Sequence, residues 1–264
     1  MRRSCVVLSP EKEGAEPSAA KVKAVSTPRC VREASGDWYN ASYELRAFPG
    51  GAKSRLDAWK APCGLGDGTN GTLGRTCFVG ASHARKLTWA AERVARRTKA
   101  SHRASFKHVD AQFPLDYFSK AKPDLRECAF VVVALGQWAA GWPLGAPHGA
   151  DQFEAEMEAV AQDLAALERQ TGAVVALRSI DFSPLGYKQL QCPPTDWRTP
   201  FLVDEYNARL AAVARRTKVP FIDTSSLLRP IWDMASDWNH LDFAPSDHQA
   251  AAILEAACAL PRRP

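Results

Sequence analysis

The chain has 264 residues, a net charge of +5 and a 46% hydrophobic content, enough for one large domain with a real core. Charged residues make up 24%, ordinary for a soluble domain, and no segment approaches the ~20 apolar residues of a membrane-spanning helix. The positive charge accompanies no nucleic-acid-binding module. Its densest stretch, Arg93 to Arg103, reads as the exposed face and end of a helix, so no nucleic-acid partner is expected.

Residues 1–35 mix Glu, Lys, Ala, Ser and Pro with little periodicity and read as a flexible arm. Arg2 and Arg3 resemble the start of a signal peptide, but the apolar run stops at Leu8 and Pro10, short of an h-region. Residues 36–74 carry many glycines together with Trp38, Trp59 and Cys63, and are expected to form an irregular cap on a main domain over 75–264.

Thr76 to Ala81 (TCFVGA) is a short apolar run that predicts a strand, followed by a helix from His83 to about Thr98. Ser105 to Asp110 predicts a second strand. Ala129 to Leu135 (AFVVVAL) is continuously apolar, as a strand covered on both faces must be. The spacing of Phe153, Met157, Val160, Leu164 and Leu167 predicts a helix over Asp151 to Thr171, with Asp151 as cap and Gly172 as stop. Ala173 to Ile180 predicts a fourth strand, and Val203 to Thr217 a helix with Tyr206, Leu210 and Val213 on one face. Val219 to Asp223 predicts a fifth strand. Ser246 to Ala259 reads as the closing helix, with Ser246 and Gln249 in a capping-box pattern.

Strands alternating with helices imply right-handed βαβ units and a parallel sheet between two helical layers. The expected architecture is an α/β three-layer αβα sandwich with a five-stranded parallel, flavodoxin-like sheet of order 2-1-3-4-5. Ligands of such a sheet sit at the carboxyl ends of the strands where the order reverses, here between strands one and three. Strand one ends in Gly80-Ala81-Ser82-His83 and strand three in Gly136-Gln137-Trp138. Trp138 and Trp142 are thereby expected near the crevice.

Ser82 stands where the first helix begins, beside backbone N–H groups without intrahelical partners. Such donors suit an oxyanion and contribute ~3–4 kcal/mol each when well placed. Serine is also a common helix cap, so a base has to be found. Among six histidines, His83 adjoins Ser82 and is expected to project elsewhere. His102 and His108 flank strand two, and His148 lies in a Pro/Gly-rich loop. His240 differs: Asp237-Trp238-Asn239-His240 places a carboxylate three residues before an imidazole, on the sheet edge that carries Ser82. Its rival, His248 beside Asp247, falls in the first turn of the closing helix. Ser82, His240 and Asp237 are therefore the expected nucleophile, base and orienting acid.

Phe78-Val79-Gly80-Ala81-Ser82-His83-Ala84-Arg85 resembles the "FVGDSHxR" block of SGNH hydrolases, in particular their PC-esterase branch. Asp237-Trp238-Asn239-His240 is similar to the late D-x-x-H block of those domains, and Gly136-Gln137-Trp138 to the "GxW" ending of their middle strand. Gly36-Asp37-Trp38, Trp59-Lys60-Ala61-Pro62-Cys63 and Arg178-Ser179 resemble segments of plant trichome-birefringence-like polysaccharide O-acetyltransferases. The resemblance implies a serine esterase or O-acetyltransferase, acting without metal or cofactor on a small-molecule or glycan ester. It assigns Ser82 as nucleophile, His240 as base and Asp237 as its partner, with Gly80, Gly136, Gln137 and Trp138 around the oxyanion and substrate. Two departures stand out. Ala81 replaces the Asp of the "GDS" block, and no Asn follows strand three, which leaves Gln137 as a substitute donor. They motivate an alternative, a catalytically impaired glycan-binding relative.

The one-residue miss to G-x-S-x-G at Gly80 to Ala84 does not indicate an α/β-hydrolase, which needs several strands before its nucleophile. A flavodoxin-like cofactor protein would need a phosphate-cradling loop after strand one. Seven cysteines without a C-x-x-C pair and two sequons, at Asn40 and Asn70, fit a lumenal or extracellular domain whose targeting segment or anchor lies outside this chain, with the cytoplasm as the alternative that the short N-terminal apolar run leaves open. Cys77 and Cys128 are expected to be buried thiols. Cys30, Cys63, Cys192 and Cys258 are the expected bridge formers.

Overall fold

The computed structural model describes residues 74–97, 104–141, 147–181, 196–228, 240–241 and 243–260. All belong to the compact unit Ala52–Pro264. The expected arm and, apart from Gly74, the expected cap lie outside the described residues, as do His102 and Trp142.

The apolar run at 130–133 is the central strand β3 (Phe130–Val133), every residue of which is buried. β1 (Gly74–Val79) and β4 (Val174–Arg178) flank it, with β2 (Ala104–Val109) and β5 (Phe221–Ile222) at the edges. The order is β2-β1-β3-β4-β5 and every pairing is parallel, as the alternation of elements predicts. β5 is two residues long rather than the five of Val219 to Asp223. Pro220 has no N–H to give the ladder and contributes only its carbonyl, which accepts from Leu177 at 2.9 Å.

Side chains alternate across the sheet, and each face carries a helical layer. Phe78, Phe130, Val132, Val174 and Ala176 pack with α1 (Ser82–Arg97) and the closing helix α5 (Phe243–Ala259). Val79, Val131, Val133, Val175 and Leu177 pack with α2 (Ala150–Thr171) and α3 (Pro200–Thr217). Phe153 and Tyr206 join α2 to α3 as a stacked pair 4.1 Å apart. A one-turn helix, α4 (Ser225–Leu228), precedes α5.

Several local signals resolve differently from their sequence reading. The N-cap of α2 is Gly149, with no side-chain cap, and Asp151 lies exposed in the first turn, 3.0 Å from Arg209. There its charge meets the positive end of the helix rather than a backbone N–H. Gly172 does end α2, at φ 70°. α3 begins at Pro200, not Val203, because the Thr199 hydroxyl accepts from Leu202 N at 3.2 Å and proline suits the first helical position. α5 begins at Phe243, which puts Ser246 inside the helix, so the capping box does not form. Its Gln249 turns inward instead.

Cys77 and Cys128 form a disulfide, with Cα atoms 5.9 Å apart, where free thiols were expected. Burial, at 0% and 3% exposure, is common to both states, and a separation of 51 residues offers no pairing signal. Cys30, Cys63 and Cys192, and the side chain of Cys258, lie outside the described residues.

Candidate active site

The turn after β1 is built around a glycine where a side chain would be strained and crowded. Gly80 has φ +147°, and a Cβ there would stand 2.6 Å from the Ala134 carbonyl oxygen and 3.1 Å from Ala84 Cβ. Gly80 N donates to Val109 O at 3.0 Å, and its carbonyl faces His108 Nε2 at 2.7 Å. The bond from Arg85 N to Ala81 O, 3.1 Å, opens the helix with Ser82 as its first residue. At the end of β3, Gly136 has φ +124°, and its missing Cβ leaves room for Ile180 and Phe153. Two tight turns thus lie side by side where the strand order reverses.

His240 Nε2 lies 2.8 Å from Ser82 Oγ, across a separation of 158 residues. The distance is that of a nucleophile and its base. The next residue anchors the segment to α1, since Lys86 Nζ donates to Leu241 O at 3.3 Å. Asp237 lies outside the described residues. Gln137 is buried, and its amide nitrogen donates to the Asp181 carbonyl at 3.0 Å while its Oε1 has no partner among the described residues. Trp138 is half-buried and meets Phe113 edge-on at 6.3 Å. Phe113 stacks on His148 at 5.6 Å. Phe113 follows β2 and Trp138 follows β3, so the two rings meet across the carboxyl end of the strand between them, β1. Asp247 is held by Arg93 and Arg97, at 2.6 and 2.7 Å.

Sequence reasoning set His83 aside, and the structure gives it a partner. It occupies the buried stripe of α1 with Leu87, Ala90, Ala91 and Val94. Its Nδ1 is 2.7 Å from Asp181 Oδ2. That carboxylate also accepts from Gln249 Nε2 at 2.5 Å and from both terminal nitrogens of Arg178. Arg178 and Gln249 in turn donate to Thr224 Oγ1, at 3.2 and 3.0 Å. Burial disfavours the charge on Asp181, but the Arg178 guanidinium and the His83 imidazole outweigh it and hold the carboxyl well below the usual carboxylate range. With Asp181 ionised, Nδ1 of His83 donates, and Nε2 is buried without a hydrogen-bond partner among the described residues. Leaving such a group unpaired costs about 1–3 kcal/mol. The ring lies 5.0 Å from that of His240, tilted by 30°. The signal in the sequence was the helical period, which puts position 83 on the same face as 87, 90 and 94. Among the described residues no three His, Cys, Asp or Glu side chains converge as metal ligands.

The fold has relatives among solved structures. An acetyl xylan esterase superposes with a TM-score of 0.54 at 15% identity, over 69% of this chain and 98% of that one. A GDSL-like lipase from Bacteroides thetaiotaomicron gives 0.52 at 16%, over 77% and 98%. A carbohydrate acetylesterase from Sinorhizobium meliloti gives 0.51 at 13%, over 70% and 98%. The chain has the fold of the SGNH acylhydrolases. At these identities the likeness is one of fold, and it takes in nearly the whole of each neighbour. No protein-family model matches the sequence, and no curated protein sequence does. In the SGNH frame, the Gly80–Ser82 turn and the segment at His240 occupy the carboxyl edge of the sheet, where open α/β sheets bind ligands.

Proposed function

We propose that this chain is a serine-dependent carboxylic ester hydrolase or O-acyltransferase acting on acyl groups, in particular acetyl groups on carbohydrate. Ser82 is the nucleophile, His240 the general base and Asp237 its orienting acid. The observation that carries the reading is the 2.8 Å approach of His240 Nε2 to Ser82 Oγ at the point where the strand order reverses.

Ser82 Oγ attacks the ester carbonyl as its proton passes to His240 Nε2. The resulting oxyanion is met by backbone N–H groups at Ser82 and the Gly136 turn. His240 then protonates the departing alcohol, leaving an acyl-Ser82. Water or an acceptor hydroxyl, deprotonated by His240, releases the acyl group and regenerates the serine. Hydrolysis and transfer differ only in that last acceptor. The motif resemblance to the PC-esterase and trichome-birefringence-like branch favours a glycan acceptor. So does the pair of aromatic rings over β1, Phe113 and Trp138, since aromatic faces suit the apolar faces of sugar rings. The Cys77–Cys128 bridge favours an oxidising compartment, the secretory lumen or the cell exterior.

A second reading, a glycan-binding relative with impaired chemistry, draws on Ala81 and on the engagement of Gln137 with Asp181 rather than with an oxyanion. Hydrolysis of p-nitrophenyl acetate separates the two. The enzyme reading expects turnover that falls ~10³-fold or more in Ser82→Ala and in His240→Ala. Wild-type turnover no higher than that of either folded variant, with glycan binding kept in all three, would support the binding reading.

A further inference from the structure

We propose that His83, held by Asp181, is a positioning residue for His240: its ring is the floor that fixes the orientation of the imidazole facing Ser82. The proposal rests on the assignment of His240 as base.

His83 stands at a core position of α1, where an apolar side chain would satisfy packing. Instead an imidazole is placed there and tethered by Nδ1 to a carboxylate that itself accepts from Arg178 and Gln249. This fixes the ring from three elements at once: α1, the end of β4 and α5. Its exposure is only 6%, so water does not hold it in place. Its ring lies 5.0 Å from that of His240 at a 30° tilt, a contact that limits rotation of the second imidazole about its own side-chain bonds. His83 faces the Asp181 carboxylate, with Arg178 behind it, on one side and the titratable His240 ring on the other. Lys86 fixes the backbone beyond His240 through Leu241 O, and His83 fixes the ring.

Two substitutions separate the ring from its tether. His83→Phe keeps a ring and loses the bond to Asp181, which retains Arg178 and Gln249. His83→Gln keeps a donor for Asp181 and loses the ring. In each folded variant kcat for p-nitrophenyl acetate is expected to fall ~10–100-fold with KM within about twofold, the pattern of a misoriented base. The titration midpoint of the His240 imidazole, read by NMR, is expected to shift in both by about half a pH unit or more. A merely structural role would lower thermal stability and leave kcat and that midpoint alone, and this result in both variants would overturn the proposal. If Ser82→Ala itself kept full turnover, the serine reading would fail, and the His240 midpoint alone would then decide whether His83 acts on it.

Discussion

Nδ1 of His83 lies 2.7 Å from Oδ2 of Asp181, a bond that joins the residue after Ser82 to the chain beyond β4. Both partners are buried, and the carboxylate is shared with Arg178. Breaking one member leaves another without its counter-charge.

Asp181→Asn tests that dependence. The folded pKa of Asp181 is depressed, so its charge stabilises the fold at any pH above the unfolded value of about 4. That stability is lost as pH falls from there toward the folded value. Urea denaturation followed by circular dichroism is expected to show the variant ~3–5 kcal/mol less stable at pH 7, with Arg178 left unpaired. Between pH 5 and pH 3 its stability should fall less steeply than that of the wild type.

Gly80→Ala forces a Cβ to within 2.6 Å of the Ala134 carbonyl at φ +147°. The cost is ~1–3 kcal/mol of strain at least, and relieving it displaces the turn that carries Ser82 or the Ala134 carbonyl against it. Thermal melting and p-nitrophenyl acetate turnover should fall together, turnover by ~10-fold or more. Gly172→Ala is the control. Its φ is also positive, at +70°, but nothing stands within 4 Å of the added Cβ. About 1 kcal/mol of stability should be lost there with turnover unchanged.

Phe113→Ala and Trp138→Ala bear on the substrate. If the rings that meet over β1 stack on sugar, each substitution should raise KM for an acetylated oligosaccharide ~10-fold, a loss in the range of one aromatic contact. KM for p-nitrophenyl acetate, which has no sugar, should change little. Equal losses on both substrates would argue against a sugar contact.

Reduction tests the bridge between Cys77 and Cys128. A loop of 51 residues predicts about 4 kcal/mol of stabilisation from unfolded-state entropy. Cys77→Ser should therefore melt well below the wild type, and the wild type should lose a comparable amount in strong reductant. Thiol counting on the intact protein should find both sulfurs blocked.

The sheet order was legible because β3 is an apolar run and β4 one up to its final Arg178, both wholly buried between two layers, and because glycines mark the turns after β1 and β3. The approach of His240 to Ser82 was legible from residue type and placement on one edge. His83 was not, since its meaning comes from a carboxylate 98 residues away. Local reasoning saw only a neighbour of Ser82. Gln249 failed for the same reason: a pattern that satisfies a helix terminus in isolation was outbid by a buried acceptor, Asp181 Oδ1. Local signals therefore held for elements buried by their own periodicity and failed for polar side chains whose partners are remote.

The disulfide encloses the Gly80–Ser82 turn, α1 and β2, and both of its cysteines precede β4, β5 and α5 in the chain. A ribosome therefore delivers the half of the sheet bearing Ser82, and the sulfurs that can lock it, before it delivers His240. Oxidation can close that half before His240 follows, so the hydroxyl is installed first and meets its imidazole only afterwards.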